Sequence, residues 1–210
     1  MMGKFITFEG TEGSGKTSII AEIESHFKAK GYPVIMTREP GGIRISEKIR
    51  DILLDKGHTE MDPRTEALLF AASRRQHLVE KILPALQAGY LVLCDRFVDS
   101  SLVYQGIARG LGIDAVFAIN RFAIEETMPD LTIFIDVTPE VGLARVFKNK
   151  NREVNRLDLE KREFHHQIYD GYQKLMRLYP DRIKGIAGER TIIDVSHDAI
   201  ILIEKILAAK

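Results

Sequence analysis

The sequence predicts an α/β fold, a five-stranded parallel sheet with helices on both faces. Five short apolar runs carry that prediction: Phe5–Phe8, Val34–Thr37, Leu91–Cys94, Leu131–Ile135 and Thr191–Val195. They are continuous rather than alternating, as strands covered on both faces are. Segments of helical spacing separate them, and strand–helix alternation returns each strand parallel through a right-handed crossover. No Pro-, Gly- or Ser-rich linker and no internal repeat divides residues 1–210, so the chain reads as one domain. A chain of 210 residues can bury a core without disulfide or metal staples.

The helices come in order. After the first strand, Ile19, Ile20, Ile23 and Phe27 recur at helical spacing between Lys16 and Lys30, and Gly31 ends that helix. Asp62-Pro63 is an N-cap followed by proline at the first helical position, opening a helix with an expected core stripe of Leu69, Ala72, Val79, Leu83 and Leu86. Thr138-Pro139-Glu140 repeats the cap–proline–acid start. Ser196 and Asp198 open a last helix through Ile200, Ile203 and Leu207.

Composition narrows the functional class. Lys and Arg number 30 and Asp and Glu 30, a neutral balance that argues against a broad nucleic-acid surface. No apolar run approaches the length of a membrane span, and the start, Met1-Met2-Gly3-Lys4-Phe5, shows no secretory h-region, so a cytoplasmic protein with no membrane partner is expected. The single cysteine, Cys94, excludes an internal disulfide and fits a reducing compartment. One stretch departs from neutrality: Arg145 to Arg156 carries five basic residues (Arg145, Lys148, Lys150, Arg152, Arg156) against Glu153 alone. It reads as a solvated loop or as a lid, roughly 145–158, that brings cations to a phosphate.

Gly10-Thr11-Glu12-Gly13-Ser14-Gly15-Lys16-Thr17 matches G-x-x-x-x-G-K-[ST] between an apolar strand and an amphipathic helix. Glycines let backbone N–H groups wrap inward on phosphate oxygens, and the helix N-terminus adds its positive end. Lys16 would reach the β/γ-phosphates of a nucleoside triphosphate, and the Thr17 hydroxyl would hold Mg²⁺. The loop carries no arginine, so any further cation must come from elsewhere.

Two more clusters end strands, where open α/β sheets bind ligands. They are Arg38-Glu39 and Asp95-Arg96. Paired arginines beside a phosphate loop favour a second anionic group, although each reads alone as a salt-bridge former. Asp95 ends an apolar strand and could hold the metal through water. Phe70 and Arg74, spaced i, i+4 beside the expected stripe, suit a base plane and its edge, or equally a rim residue and a surface arginine. Ser101, Tyr104 and Gln105 share one helical face, which reads as a base-reading edge or as a hydrated polar surface.

Together these motifs strongly resemble the bacterial thymidylate kinase family: Phe8 to Thr17, then Thr37-Arg38-Glu39-Pro40-Gly41-Gly42, then Asp95 to Gly106. Asn155-Arg156-Leu157-Asp158 resembles the lid arginine motif of the bacterial type. The resemblance implies a P-loop kinase of the nucleoside-monophosphate kinase type, a three-layer sandwich with a short lid. It implies transfer of the γ-phosphoryl of ATP to dTMP with Mg²⁺, in dTTP synthesis for DNA replication, by a homodimer built on helices such as that carrying Leu68 to Leu86. By position it implies Glu9 and Arg38 at the sugar–phosphate region and metal–water network, Arg96 on the dTMP phosphate with Glu39 orienting it, and Arg50 at the nucleotide end. Phe70 would stack on thymine, Arg74 would bond its O4, Ser101 and Gln105 would address the base edge, and Tyr104 would sit under the sugar. Lys16, Arg96, Arg156 and Glu9 would form the catalytic set. Departures are mild: Ser18, Ile43-Arg44, Phe97 and Val103 replace commoner residues, and Arg44 adds a charge near the pocket mouth. The rivals are another nucleoside-monophosphate or deoxynucleoside kinase and a nucleotide-gated switch. The switch would need N-K-x-D, where Asn149-Lys150-Asn151-Arg152 ends in arginine.

Overall fold

The computed structural model describes residues 3–148 and 154–208. Five parallel strands form one sheet in the order β2-β3-β1-β4-β5: β1 (Lys4–Glu9), β2 (Val34–Arg38), β3 (Leu91–Asp95), β4 (Leu131–Asp136) and β5 (Ile183–Ala187). The central β1 pairs with β3 (Phe8 opposite Asp95) and with β4 (Glu9 opposite Phe134), so the chain order reverses beside it. A topological switch of this kind opens a crevice at the strand C-termini.

Alternation along β1 separates the layers. Ile6 and Phe8 pack on one face against Ile19, Ile20, Ile23 and Phe27 of α1 (Lys16–Ala29) and Val195, Ala199 and Ile203 of α9 (Ile192–Ala208). Phe5 packs on the other face with Leu78, Ile82, Phe97 and Val98. On that face Thr7 pairs with the Thr132 hydroxyl at 2.8 Å. Gly31, at φ +82°, lets α1 end in the left-handed conformation glycine tolerates. Asp62 caps α3 (Pro63–His77), its carboxylate accepting from Arg64 N at 2.8 Å and Thr65 N at 3.1 Å.

Two expectations are corrected. Thr191–Val195 is the start of α9, and the fifth strand lies earlier, at Ile183–Ala187. The Thr191 hydroxyl donates to Asp194 Oδ2 at 2.6 Å and accepts from Asp194 N at 3.2 Å, which caps a helix, and Ile193 is 75% exposed. β5 is an edge strand that buries only Ile183 and Ile186, so Lys184 and Gly185 hide it from an apolar-run search. Second, the buried face of α3 is Glu66, Ala67, Ala71, Ser73, Arg74 and His77, continuing through Leu78, Ile82 and Leu86; Ala72 and Val79 are exposed, and Leu69 and Leu83 half-buried. The inner face of α3 meets polar groups at the ends of β2 and β3, and a π-helical turn at Leu78–Ile82 shifts the helical phase of Leu83 and Leu86 beyond it.

The remaining helices frame the crevice. α2 (Arg44–Leu54) packs on α3 through Ser46 Oγ, which donates to Ser73 O at 2.8 Å. α4 (Leu83–Gln87) leads into β3. α5 (Val98–Ser101) runs into a π-helical segment at Leu102–Ala108, followed by α6 (Ile113–Ile124). α7 (Pro139–Lys148) and α8 (Arg162–Leu178) flank a 3₁₀ turn at Arg156–Leu159. Of the expected lid, Asn149 to Glu153, including Lys150 and Arg152, lies outside the described residues.

Candidate active site

The β1–α1 loop curls so that Lys16 Nζ donates to Gly10 O at 3.2 Å, Thr11 O at 3.1 Å and Ser14 Oγ at 3.1 Å. Burial first, then the nearby Arg96 cation, push the Lys16 ammonium down to about 8. Gly13 has φ +72°, and a Cβ there would lie 2.0 Å from Gly142 O, so only glycine permits the close contact between this loop and α7. The Thr17 hydroxyl donates to Asp95 Oδ2 at 3.1 Å. Two hard oxygen donors thus meet beside the phosphate loop, a set suited to Mg²⁺, which keeps waters and binds few protein ligands.

A cavity of about 480 Å³ runs from this loop to α3 and the Leu102–Ala108 segment. It is lined by Lys16 and Thr17 at one end, Arg38, Asp95 and Arg96 in the middle, and Phe70, Arg74, Ser101 and Gln105 at the other. Of the candidates named from sequence, Arg38, Glu39, Arg50, Phe70, Arg74, Asp95, Arg96, Ser101, Tyr104 and Gln105 line it.

Arg96 sits at its centre with φ +70°, a backbone strain typical of functional positions. Its guanidinium donates to Ser100 Oγ at 3.0 Å, Tyr172 Oη at 3.1 Å and Glu12 Oε1 at 3.0 Å, and lies 5.0 Å over the Tyr104 ring. Its nearest anionic partner is Glu12 of the phosphate loop, with Glu9 Oε2 farther off at 4.0 Å, while Arg182 holds Asp99 at 2.6 Å and 2.8 Å. Burial opposes the charge of Glu12, but Arg96, Lys16 and the Tyr104 hydroxyl outweigh it and hold its carboxyl below the usual range. Arg38 pairs with Glu47 at 2.8 Å while still lining the cavity.

Two catalytic candidates fall elsewhere. Glu9 is fully buried beneath the cavity, accepting from Phe97 N at 2.8 Å, Ser100 N at 3.2 Å, Ser100 Oγ at 2.5 Å and Tyr172 Oη at 2.8 Å. Strand alternation points it at Phe97 and Ser100, so it anchors the segment that follows Arg96. Burial, with Asp99 adding to it, raises its carboxyl above the usual range. Arg156 is 9% exposed and donates to Leu53 O at 3.1 Å and Glu66 Oε2 at 2.5 Å, away from the phosphate loop. Asn155 and Asp158 form a capping box around it: Asn155 Oδ1 accepts from Leu157 N at 2.9 Å, and Asp158 Oδ2 accepts from Asn155 N at 2.9 Å. Arg145 of α7 lines the cavity in its place.

Arg74 is no surface residue. At 1% exposure it donates to Glu39 Oε2 at 2.7 Å, Ser101 Oγ at 3.0 Å, Phe97 O at 2.9 Å and Asn120 Oδ1. Glu39 also meets His77 Nδ1 at 3.0 Å. Glu66, Asn120, His77 and Tyr172 also hold this region together and belong to none of the sequence motifs. Glu66 was within reach, one helical turn before Phe70 and two before Arg74. Tyr172 reads as an ordinary core aromatic, and nothing local marks Asn120.

The thymidylate kinase family profile matches residues 8–200. A thymidylate kinase of Oceanobacillus iheyensis is 59% identical over 210 residues, covering 100% of this chain and 93% of that protein. One of Clostridium novyi is 58% identical over 190 residues, covering 90% of this chain and 93% of that protein. The crystal structure of thymidylate kinase from Ehrlichia chaffeensis superposes with a TM-score of 0.77 at 30% identity, covering 97% of this chain and 99% of that one. Similarity of this extent, over a fold and cavity that agree with it, shows that the chain belongs to the thymidylate kinase family.

Proposed function

We propose that the protein transfers the γ-phosphoryl group of ATP to dTMP, giving ADP and dTDP, which one further phosphorylation converts to dTTP for DNA synthesis. The observation that carries this is a single cavity with a phosphate loop at one end, Arg96 and Arg38 in the middle, and Phe70, Ser101 and Gln105 at the other. The loop from Gly10 to Thr17 holds the triphosphate. Arg96 and Arg38 hold the acceptor phosphate in line with the γ-phosphoryl. That oxygen is already anionic at pH 7, so no general base is needed. Lys16 neutralises charge on the transferring group, with Arg145, which lines the cavity, as a further cation. Thr17 directly and Asp95 through water would hold Mg²⁺, which neutralises β/γ-phosphate charge when bound.

Phe70 stacks on thymine, Arg74 and Gln105 address its edge, and Tyr104, whose hydroxyl donates to Glu12 at 2.7 Å, lies under the sugar. The decisive measurement is coupled ADP release across dTMP, dUMP, dCMP, UMP and AMP. The expected result is highest kcat/KM for dTMP; preference for another acceptor overturns the substrate, and nucleotide binding without transfer overturns the enzyme.

No helix among the described residues is long and apolar enough to cross a membrane. Together with one buried cysteine, this supports a cytoplasmic site of action. We further propose a homodimer through α3 and α6, joined within the subunit by Arg75 Nη1 donating to Ala123 O at 3.2 Å. Their outer faces expose Leu68 at 56% and Phe122 at 90%. Leu68→Glu combined with Phe122→Glu is expected to halve the mass seen by light scattering, and an unchanged mass places the interface elsewhere.

A further inference from the structure

Glu66 is a buried carboxylate, 1% exposed, on which three side chains converge. Gln105 Nε2 donates to its Oε1 at 2.9 Å, Arg109 reaches both oxygens at 3.3 Å and 3.2 Å, and Arg156 Nη2 reaches Oε2 at 2.5 Å. Burial opposes its charge, but the donors from Gln105, Arg109 and Arg156 prevail and hold its carboxyl below the usual range. An ionised carboxylate only accepts hydrogen bonds.

That settles which way the Gln105 carboxamide faces. Turning it over would set Oε1 lone pairs against a full negative charge inside the protein, so the amide nitrogen stays on Glu66. Oε1 makes no hydrogen bond among the described residues and is not one of the sealed, unpaired polar atoms of the interior. Gln105 lines the cavity beside Phe70 and Ser101.

We propose that Glu66 is a positioning residue for base selection: it fixes the Gln105 carboxamide with Oε1 toward the base, which favours a pyrimidine carrying an N3–H over one whose N3 is a bare acceptor. The inference deepens the reading of the site as a dTMP pocket and rests on it. A pyrimidine-2,4-dione presents N3–H and pairs with a fixed acceptor. A 4-aminopyrimidin-2-one presents a lone pair at N3, which meets that acceptor in repulsion and leaves both groups unpaired. Sites built around one hydrogen-bond polarity reject the wrong partner far more strongly than apolar pockets reject a wrong size. The 5-methyl group plays no part, so dTMP and dUMP are alike to this device.

The test compares kcat/KM for dTMP, dUMP and dCMP in the unsubstituted enzyme, Glu66→Gln and Glu66→Asp. A glutamine at 66 can donate or accept, so the Gln105 amide is free to turn, whereas aspartate keeps an ionised acceptor. The dTMP/dCMP ratio is expected to fall about 10- to 100-fold in Glu66→Gln, the scale of one misdirected buried hydrogen bond. The dTMP/dUMP ratio should hold, and Glu66→Asp should keep most of the discrimination. General damage from releasing Arg109 and Arg156 would lower all three substrates together and leave both ratios unchanged, overturning the inference. Glu66→Ala gives the same readout should the glutamine variant fail to fold. An unsubstituted enzyme inactive on dTMP overturns the functional reading and this inference with it; an active one with unchanged ratios in the variants overturns this inference alone.

Discussion

Lys16→Met lowers phosphotransfer by about 10³-fold or more, the scale seen when one transition-state cation is removed. The ammonium is held by Gly10 O, Thr11 O and Ser14 Oγ, so it is directed before any phosphate arrives. Methionine keeps the stem and removes only the charge and its donors. Steady-state kinetics should show the loss in kcat with KM for dTMP little changed, because the acceptor is held by other residues. A loss of less than tenfold would remove Lys16 from the mechanism. A pH signature accompanies it. The group titrates at about 8 in the free protein, and bound phosphate raises that value. ATP affinity is therefore constant below about pH 8 and falls up to about tenfold per pH unit above it, as linkage requires. Calorimetric titration at pH 7 and pH 9 measures this, and the Lys16→Met profile should be flat over the same window.

Arg74→Met has the largest expected effect on stability. Its guanidinium ties the end of β2 through Glu39 to α5 through Phe97 O and Ser101, and to α6 through Asn120. Removing it leaves the Glu39 carboxylate, 5% exposed, with His77 as its one side-chain hydrogen-bond partner among the described residues. Breaking a buried pair from one side costs about 3–5 kcal/mol. For a chain of this size that lowers Tm by roughly 6–20 °C. Lys28→Ala, which breaks the exposed i, i+4 pair with Glu24 at 2.9 Å, should cost no more than about 0.5 kcal/mol. Thermal unfolding of both variants checks the contrast, and equal small shifts would mean that Arg74 is not a structural tie.

Arg74 thus acts twice, lining the cavity and locking three elements together. That explains why the inner face of α3 is polar, and why a search for its apolar stripe lands on the wrong residues. The exposed Leu68 and half-buried Leu69 lie outside that buried face.

The sequence by itself determined the phosphate loop, the parallel α/β class and the strand-end arginines, because each is a local pattern. Glycine spacing, apolar runs and cap residues act within a few positions of one another. The tertiary structure decided what depends on distant partners. Glu9 ends β1 like a ligand-facing carboxylate, yet strand alternation turns it to Ser100 and Tyr172. Arg156 sits in a capping box legible from Asn155 and Asp158, but its direction is fixed by Glu66, which lies 90 positions earlier in the chain. The Gln105 carboxamide is symmetric in shape, and only the Glu66 charge, brought to it from 39 positions earlier in the chain, separates its donor from its acceptor. A buried ionised group imposes its demand on whatever the fold brings within hydrogen-bond reach, and sequence spacing carries no record of that distance.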